Sequence, residues 1–266
     1  SRPRPRSAEA PLACPSAMDL GLDGKVALVT GASKGIGFGI ARALAREGAR
    51  VAVSSRSRER VEAAAAEIGA TPFVHDTLDL DAIPGLVEAV ESALGPISVL
   101  VTNTGGPPPN PDPLGFTREQ WEDAYRELVL APMAFIERVV PGMRERRWGR
   151  IVNVASTSVR EPIPSLMLSN AHRTGILAAF KTLARELAGD GITLNTLLPG
   201  RIATDRQAQV AGSLEEAERR AQAEVPAGRL GTIDEMGAAA AFLCSEQAGY
   251  ITGVALAVDG GLLRSV

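Results

Sequence analysis

Cysteine is scarce: Cys14 and Cys244 are the only two, too few for a disulfide framework, and the chain suits a reducing, cytoplasmic compartment. An excess of charge of one sign is missing as well. The formal net charge of -3 gives no basis for a nucleic-acid-binding surface. No stretch approaches the roughly 20 apolar residues that a membrane span needs. Lysine is confined to Lys25, Lys34 and Lys181, arginine supplying the other cations. No internal repeat and no linker divides the sequence, and no metal site is expected. What is present is 266 residues, 45% of them hydrophobic, enough to bury the core of one α/β domain.

Residues 1–17 are rich in Pro, Arg and Ala without periodicity, and Met18 follows them. This segment reads as a disordered leader or a cloning remnant, and a targeting peptide fits less well because a continuous apolar segment is missing. Residues 18–266 read as one domain. From Lys25 onward short β-like runs alternate with helical patterns, which predicts a doubly wound parallel sheet. The expected strands are 26–30, 51–54, 72–75, 97–102, 150–155, 192–197 and 254–258. Long helices are expected near 119–146 and 169–188.

The first strand runs into Thr30-Gly31-Ala32-Ser33-Lys34-Gly35-Ile36-Gly37. A helical spacing of Ile36, Ile40, Ala43 and Leu44 then follows. Strand, glycine turn and helix are the context a dinucleotide pyrophosphate requires. Side chains in the turn would keep the phosphates from the backbone amides at the helix N-terminus, where the dipole favours anions. Gly31, Ser33, Lys34, Gly35, Ile36 and Gly37 are therefore candidate cofactor-binding residues.

The end of the second strand reads Val53-Ser54-Ser55-Arg56, without the acid that would bind a ribose 2′-hydroxyl. Arg56, with Lys34 in the turn, can instead flank a 2′-phosphate. NADP(H) is thereby favoured over NAD(H), although both cations also read as solvated surface charges.

Three further signatures are spaced along the chain: Asn103-Thr104-Gly105-Gly106, Asn153-Val154-Ala155-Ser156 and Pro199-Gly200-Arg201-Ile202-Ala203-Thr204. Together with the glycine turn they resemble the short-chain dehydrogenase/reductase family from about Leu22 to the C-terminus. The likeness is greatest to 3-oxoacyl-carrier-protein-reductase-like members. The resemblance implies a seven-stranded, single-domain Rossmann fold, a small-molecule substrate and a homotetramer or homodimer. It assigns the adenine contact to Asp76 and Thr77. Asn103 and Gly105 fall in the turn after the fourth strand, with Thr104 and Gly106 departing from the family's pattern. Pro199, Gly200, Ile202 and Thr204 fall in the segment that meets the nicotinamide carboxamide.

The same resemblance exposes a mismatch. In the family a Ser polarises the carbonyl, a Tyr thirteen residues on exchanges the proton, and a Lys four further holds the ribose. An Asn on the preceding long helix anchors a relay water. Counting from Ser156 gives Ser169 and Arg173 at the Tyr and Lys positions, and counting seven from Trp121 gives Leu128 at the Asn position. Lowering a tyrosine from about 10 to neutrality takes about 4 kcal/mol, whereas an aliphatic hydroxyl as weakly acidic as water takes about 12. Arg173 can hold a ribose or an anionic group, but it does not relay a proton at neutral pH.

His172 shares part of a helix face with Ser169. It is a candidate acid, or a packing residue on a helix that meets a neighbouring subunit in the family. Ser156 reads as a carbonyl hydrogen-bond donor or a plain strand-end serine. His75 reads as structural. Trp121, Tyr125 and Phe135 follow helical spacing and read as core or subunit contacts. The segment 203–226 falls where the family keeps a mobile lid, and Glu215, Glu216, Arg219 and Arg220 read as its solvated face.

Three functions are compatible with these residues. The first is an NADP(H)-dependent oxidoreductase acting on a carbonyl or alcohol, of the 3-oxoacyl or polyketide kind. In it Ser156 and water or His172 replace the missing Tyr. The second is an NADP(H)-binding sensor or partner subunit without turnover. The third is a non-redox lyase or isomerase in which Arg173 binds an anionic group.

Overall fold

A computed structural model describes residues 18–265 of the chain, so the 1–17 leader and Cys14 lie outside the described residues. Seven parallel strands form one sheet. They are β1 (Val26–Val29), β2 (Arg50–Ser55), β3 (Thr71–Val74), β4 (Ile97–Thr102), β5 (Gly149–Val154), β6 (Ile192–Pro199) and β7 (Ala255–Val258). Each expected strand is present, with ends displaced by at most two residues.

Helices α1 (Gly35–Arg46), α2 (Arg58–Ile68) and α3 (Ile83–Leu94) connect the first four strands. Next come α4 (Arg118–Tyr125) and α5 (Ala131–Arg146), then α6 (Met167–Leu187). The chain closes with α7 (Asp205–Ala211), α8 (Leu214–Glu224) and α9 (Ile233–Cys244). The long helix expected over 119–146 exists as α4 and α5 joined through a π-helical turn, Arg126–Leu130. It ends at Arg147, whose positive φ of 51° closes α5 in a left-handed cap. The helix expected over 169–188 is α6, which begins slightly earlier, at Met167, and so places Ser169 in its first turn.

Parallel central strands are covered on both faces and so read as continuous apolar runs; Val26–Val29 is buried throughout. Period-2 geometry then sends alternate residues to opposite layers. Ala27, Val29, Val51, Val53, Val99 and Val101 join Ile40 and Leu44 of α1 and Met236 and Leu243 of α9. Val26, Leu28, Ala52 and Leu100 join Val87, Phe135 and Phe180 from α3, α5 and α6. Cys244 is a free thiol at the end of α9, its pKa pushed up to about 12 by burial.

The strand order is β3-β2-β1-β4-β5-β6-β7. The chain leaves β1 toward one edge and returns at β4 on its other side. Such a reversal opens a crevice at the carboxyl ends of the two strands, where ligands of open α/β sheets bind.

Candidate active site at the carboxyl edge of the sheet

The segments after β1 and β4 meet in that crevice. Thr30 Oγ1 donates to Asn103 O at 2.9 Å and accepts from Asn103 N at 2.9 Å. Asn103 Nδ2 donates to Gly31 O at 3.0 Å. The approach is close enough to demand glycine. A Cβ on Gly31, which has φ +57°, would lie 2.6 Å from Asn103 O, and one on Gly37 would lie 2.5 Å from Gly31 O. Helix α1 begins behind this turn with no side-chain cap and no acid in its first turn. Its N-terminal amides are thus available to an anion. These features fit a dinucleotide pyrophosphate.

The other cofactor candidates lie at the carboxyl ends of β1, β3, β4 and β6. Gly35 faces Thr204, whose Cγ2 would lie 3.5 Å from an added Cβ. Thr204 also caps α7, accepting from Gln207 N at 3.2 Å. Pro199 ends β6, Gly200 follows it, and Ile202 is buried and bridges to Gly231. Ser33 and Ile36 are partly exposed in the glycine turn. Asp76 and Thr77 follow β3, with Asp76 Oδ1 accepting from Leu78 N at 3.1 Å. Gly105 lies in the turn after β4, where a Cβ would meet nothing within 4 Å.

Arg56 is exposed just beyond β2. Lys34 pairs with Asp205 at 2.6 Å, their side chains being 55% and 70% exposed. A pair so open to water holds its partners weakly, so Lys34 can turn to a phosphate at little cost.

The chemical residues gather at the end of β5. Ser156 Oγ accepts from Ser158 N at 3.1 Å, leaving its hydroxyl proton to donate elsewhere. Ser169 is buried in the first turn of α6. Its Oγ accepts from Arg173 Nε at 3.2 Å, so its proton too is free to donate. Arg173 Nη1 donates to Val154 O at 2.6 Å. Burial lowers the Arg173 pKa to about 10, and Glu127 opposes that fall. Leu128 is buried in the π turn and helps line a cavity of about 10 Å³ with Thr104, Asn153 and Arg173. Thr104 Oγ1 and Asn153 Nδ2 are buried there without protein partners.

His172 is placed elsewhere. Its ring packs edge-on against Trp121 at 5.4 Å and tilts against Tyr125 at 5.9 Å. Burial lowers its pKa, which favours the neutral ring. None of the hydrogen bonds among the described residues joins it to Ser156 or Ser169. Trp121 and Tyr125 are themselves 36% and 45% exposed, while Phe135 is in the core. His75 is buried edge-on to Phe135 at 5.7 Å.

Two site residues escape the sequence patterns. Glu127, one residue before Leu128, is partly buried beside the backbone N–H of Gly106, and Arg173, Arg56 and Arg206 all act on its carboxylate. Burial outweighs these cations and raises its pKa. Arg206, in the first turn of α7, donates Nη2 to Pro107 O in the proline-rich loop. Neither follows a period or a motif; both acquire their role from partners distant in the chain.

The raised Glu127 pKa has a signed consequence. The folded state binds this proton more tightly than the unfolded chain, whose value is 4.5. The associated stability is present below 4.5 and is lost as pH rises through the folded value. Glu127→Gln should therefore gain stability relative to wild type as pH rises from about 4 to about 7. Thermal melts at the two pH values check this; a constant difference would contradict it.

The segment 203–226, expected to align with the family's lid, folds as α7 and α8. Glu216 pairs with Arg219 at 2.7 Å and Arg220 at 2.5 Å on the outer face of α8, the solvated face expected for these residues. Arg201, before α7, pairs with Glu224 at the end of α8.

The glycine turn, the crevice at the strand reversal and the open N-terminus of α1 define a dinucleotide-binding α/β protein. Comparison with known proteins is in accord. Residues 31–263 match the family described as Enoyl-(Acyl carrier protein) reductase. The chain is 35% identical over 246 residues to the 3-oxoacyl-[acyl-carrier-protein] reductase FabG of Haemophilus influenzae, covering 92% of this chain and 100% of that one. It is 36% identical to human dehydrogenase/reductase SDR family member 4, covering 90% and 88%. Among solved structures it resembles an actinorhodin polyketide ketoreductase with NADPH, at TM-score 0.86 and 35% identity over 91% of this chain and 98% of that one. It also resembles the L-sorbose reductase of Gluconobacter frateurii complexed with NADPH and L-sorbose, at TM-score 0.87 and 31% identity over 94% and 100%. The chain belongs to the short-chain dehydrogenase/reductase family and is an oxidoreductase of that type.

Proposed function

We propose that the protein is an NADP(H)-dependent oxidoreductase acting on a carbonyl/alcohol pair of the 3-oxoacyl or polyketide kind, with a non-standard proton donor. The observation that carries this reading is the glycine turn packed on Asn103 before an uncapped helix. Gly31, Ser33, Lys34, Gly35, Ile36 and Gly37 hold the pyrophosphate, and Arg56 the 2′-phosphate. Asp76 and Thr77 border the adenine, while Asn103, Gly105 and Arg173 border the riboses. Pro199, Gly200, Ile202 and Thr204 take the nicotinamide. NADP(H), when bound, supplies or accepts the hydride.

Ser156 and Ser169 then present two hydroxyl protons to the carbonyl oxygen. Arg173 fixes Ser169 through Nε and anchors itself on Val154 O. Two positioned donors stabilise the developing oxyanion, and water supplies the proton that neither serine can release at neutral pH. His172 packs α4 against α6 and takes no part. The exposed Trp121 and Tyr125 beside it support a homodimer or homotetramer.

No helix among the described residues is long and apolar enough to cross a membrane.

Arg56→Ala should weaken NADPH by roughly 30-fold or more, the worth of a bidentate phosphate contact, and NADH by less than about threefold. Fluorescence titration of both coenzymes measures it; equal losses would reject the assignment. A second reading, nucleotide binding without turnover, is favoured by Leu128, Ser169 and Arg173 standing where the family keeps its Asn, Tyr and Lys. NADPH oxidation across a panel of ketones separates the two: tight binding with no oxidation selects the second.

A further inference from the structure

We infer that Arg206 is a specificity residue for an anionic substrate, a carbonyl compound bearing a carboxylate that this guanidinium receives. The inference rests on the proposed reductase reading and names its substrate class. Arg206 lies two residues beyond Thr204, in the first turn of α7. Its Nη2 donates to Pro107 O, so the side chain spans from α7 to the loop after β4. It thereby crosses the mouth of the crevice. Three consecutive prolines, Pro107 to Pro109, stiffen the loop it reaches.

The charge in this space is unbalanced. Arg206 and Arg173 both lose water, each with its pKa lowered chiefly by burial. Glu127 is the carboxylate that acts on both. Two guanidinium charges facing one carboxylate leave an excess positive charge in a partly dry cleft, where an unmatched charge is costly.

Donor use divides the two arginines. Arg173 is pinned at two points, by Nε on Ser169 Oγ and Nη1 on Val154 O. Arg206 uses one N–H, on Pro107 O, among the described residues. Four of the five N–H groups of a guanidinium then remain. A planar fork with free donors matches a carboxylate through two parallel hydrogen bonds. The cofactor's phosphates have other partners in the α1 amides, Lys34 and Arg56, and do not require Arg206.

Acetoacetate and ethyl acetoacetate provide a test, since they share a β-ketone and differ in the charge at the far end. Their dissociation constants from the protein–NADP+ complex, which has no hydride to give a ketone, are read by calorimetry. The wild type should bind acetoacetate at least roughly tenfold more tightly. Arg206→Gln should erase that preference while leaving ethyl acetoacetate unchanged, and Arg206→Lys should retain part of it. Glu127→Gln should strengthen acetoacetate binding severalfold by removing the competing carboxylate.

A wild type with no preference, or an equal preference in Arg206→Gln, overturns the inference. So does an Arg206→Gln variant that weakens NADPH itself tenfold, which would make Arg206 a cofactor residue. These results leave the proposed function standing. Failure of the wild type to bind NADPH would remove that function, and this inference with it.

Discussion

Replacing Gly37 with alanine is expected to abolish coenzyme binding. The added methyl would lie 2.5 Å from Gly31 O and 2.7 Å from Asn103 Nδ2. Both are held in place: Asn103 is tied to Thr30 and Gly31, and Gly31 occupies a left-handed conformation. Relief requires the turn to open, which separates the amides that must converge on the pyrophosphate. Loss of more than about 4 kcal/mol of binding, roughly a thousandfold in Kd, is the expected size. Fluorescence titration with NADPH measures it. Gly85→Ala in α3 is the control, since a Cβ there meets nothing within 4 Å. It should leave affinity intact and stabilise the fold by about 0.5–1 kcal/mol. Near-normal affinity in the Gly37 variant would show that the turn is not the phosphate site.

Arg173→Met is expected to be the most destabilising change in the catalytic region. It deletes the bonds to Val154 O and Ser169 Oγ and removes a cation that acts on the partly buried Glu127. Hydrogen bonds from a charged donor contribute about 1.5–3 kcal/mol each, so a loss of about 3 kcal/mol follows. In a chain of this size that lowers Tm by roughly 6 °C. Arg173→Lys keeps the charge but gathers its donors on one nitrogen, where Arg173 reaches the two acceptors from Nε and Nη1, and should fall between the two. The same series separates structure from chemistry. If Arg173 merely supported α6, NADPH affinity would be unchanged at temperatures where each variant is folded. A ribose contact predicts that Kd rises in the Met variant and is partly restored by Lys.

Much of the architecture was legible because a parallel sheet writes its strands as unbroken apolar runs. Val26–Val29 and Ile97–Thr102 needed nothing beyond their composition and flanks. The glycine turn was legible for a related reason: residue type there is dictated by close backbone approach, a local requirement. The π turn at Arg126–Leu130 was not, because one wide turn shifts helical phase without altering residue types.

The candidate site around Ser156 was legible only by counting along a resemblance. Counting located Ser169, Arg173 and Leu128, but it could not say which way a neighbouring side chain turns. His172 shares part of a face with Ser169 by spacing, yet its ring goes to Trp121 and Tyr125 because α4 packs there. Glu127 and Arg206 were silent for the same reason. A charged residue on a helix reads as solvated until tertiary contact closes over it, and here the closing partners are Gly106 and Pro107.

The first turn of α7 reaches both lips of the crevice, through Asp205 on Lys34 and Arg206 on Pro107. A phosphate received by Lys34, as proposed above, would displace Asp205, so loading would be an exchange of counter-ions that leaves α7 tethered to the opposite lip by Arg206.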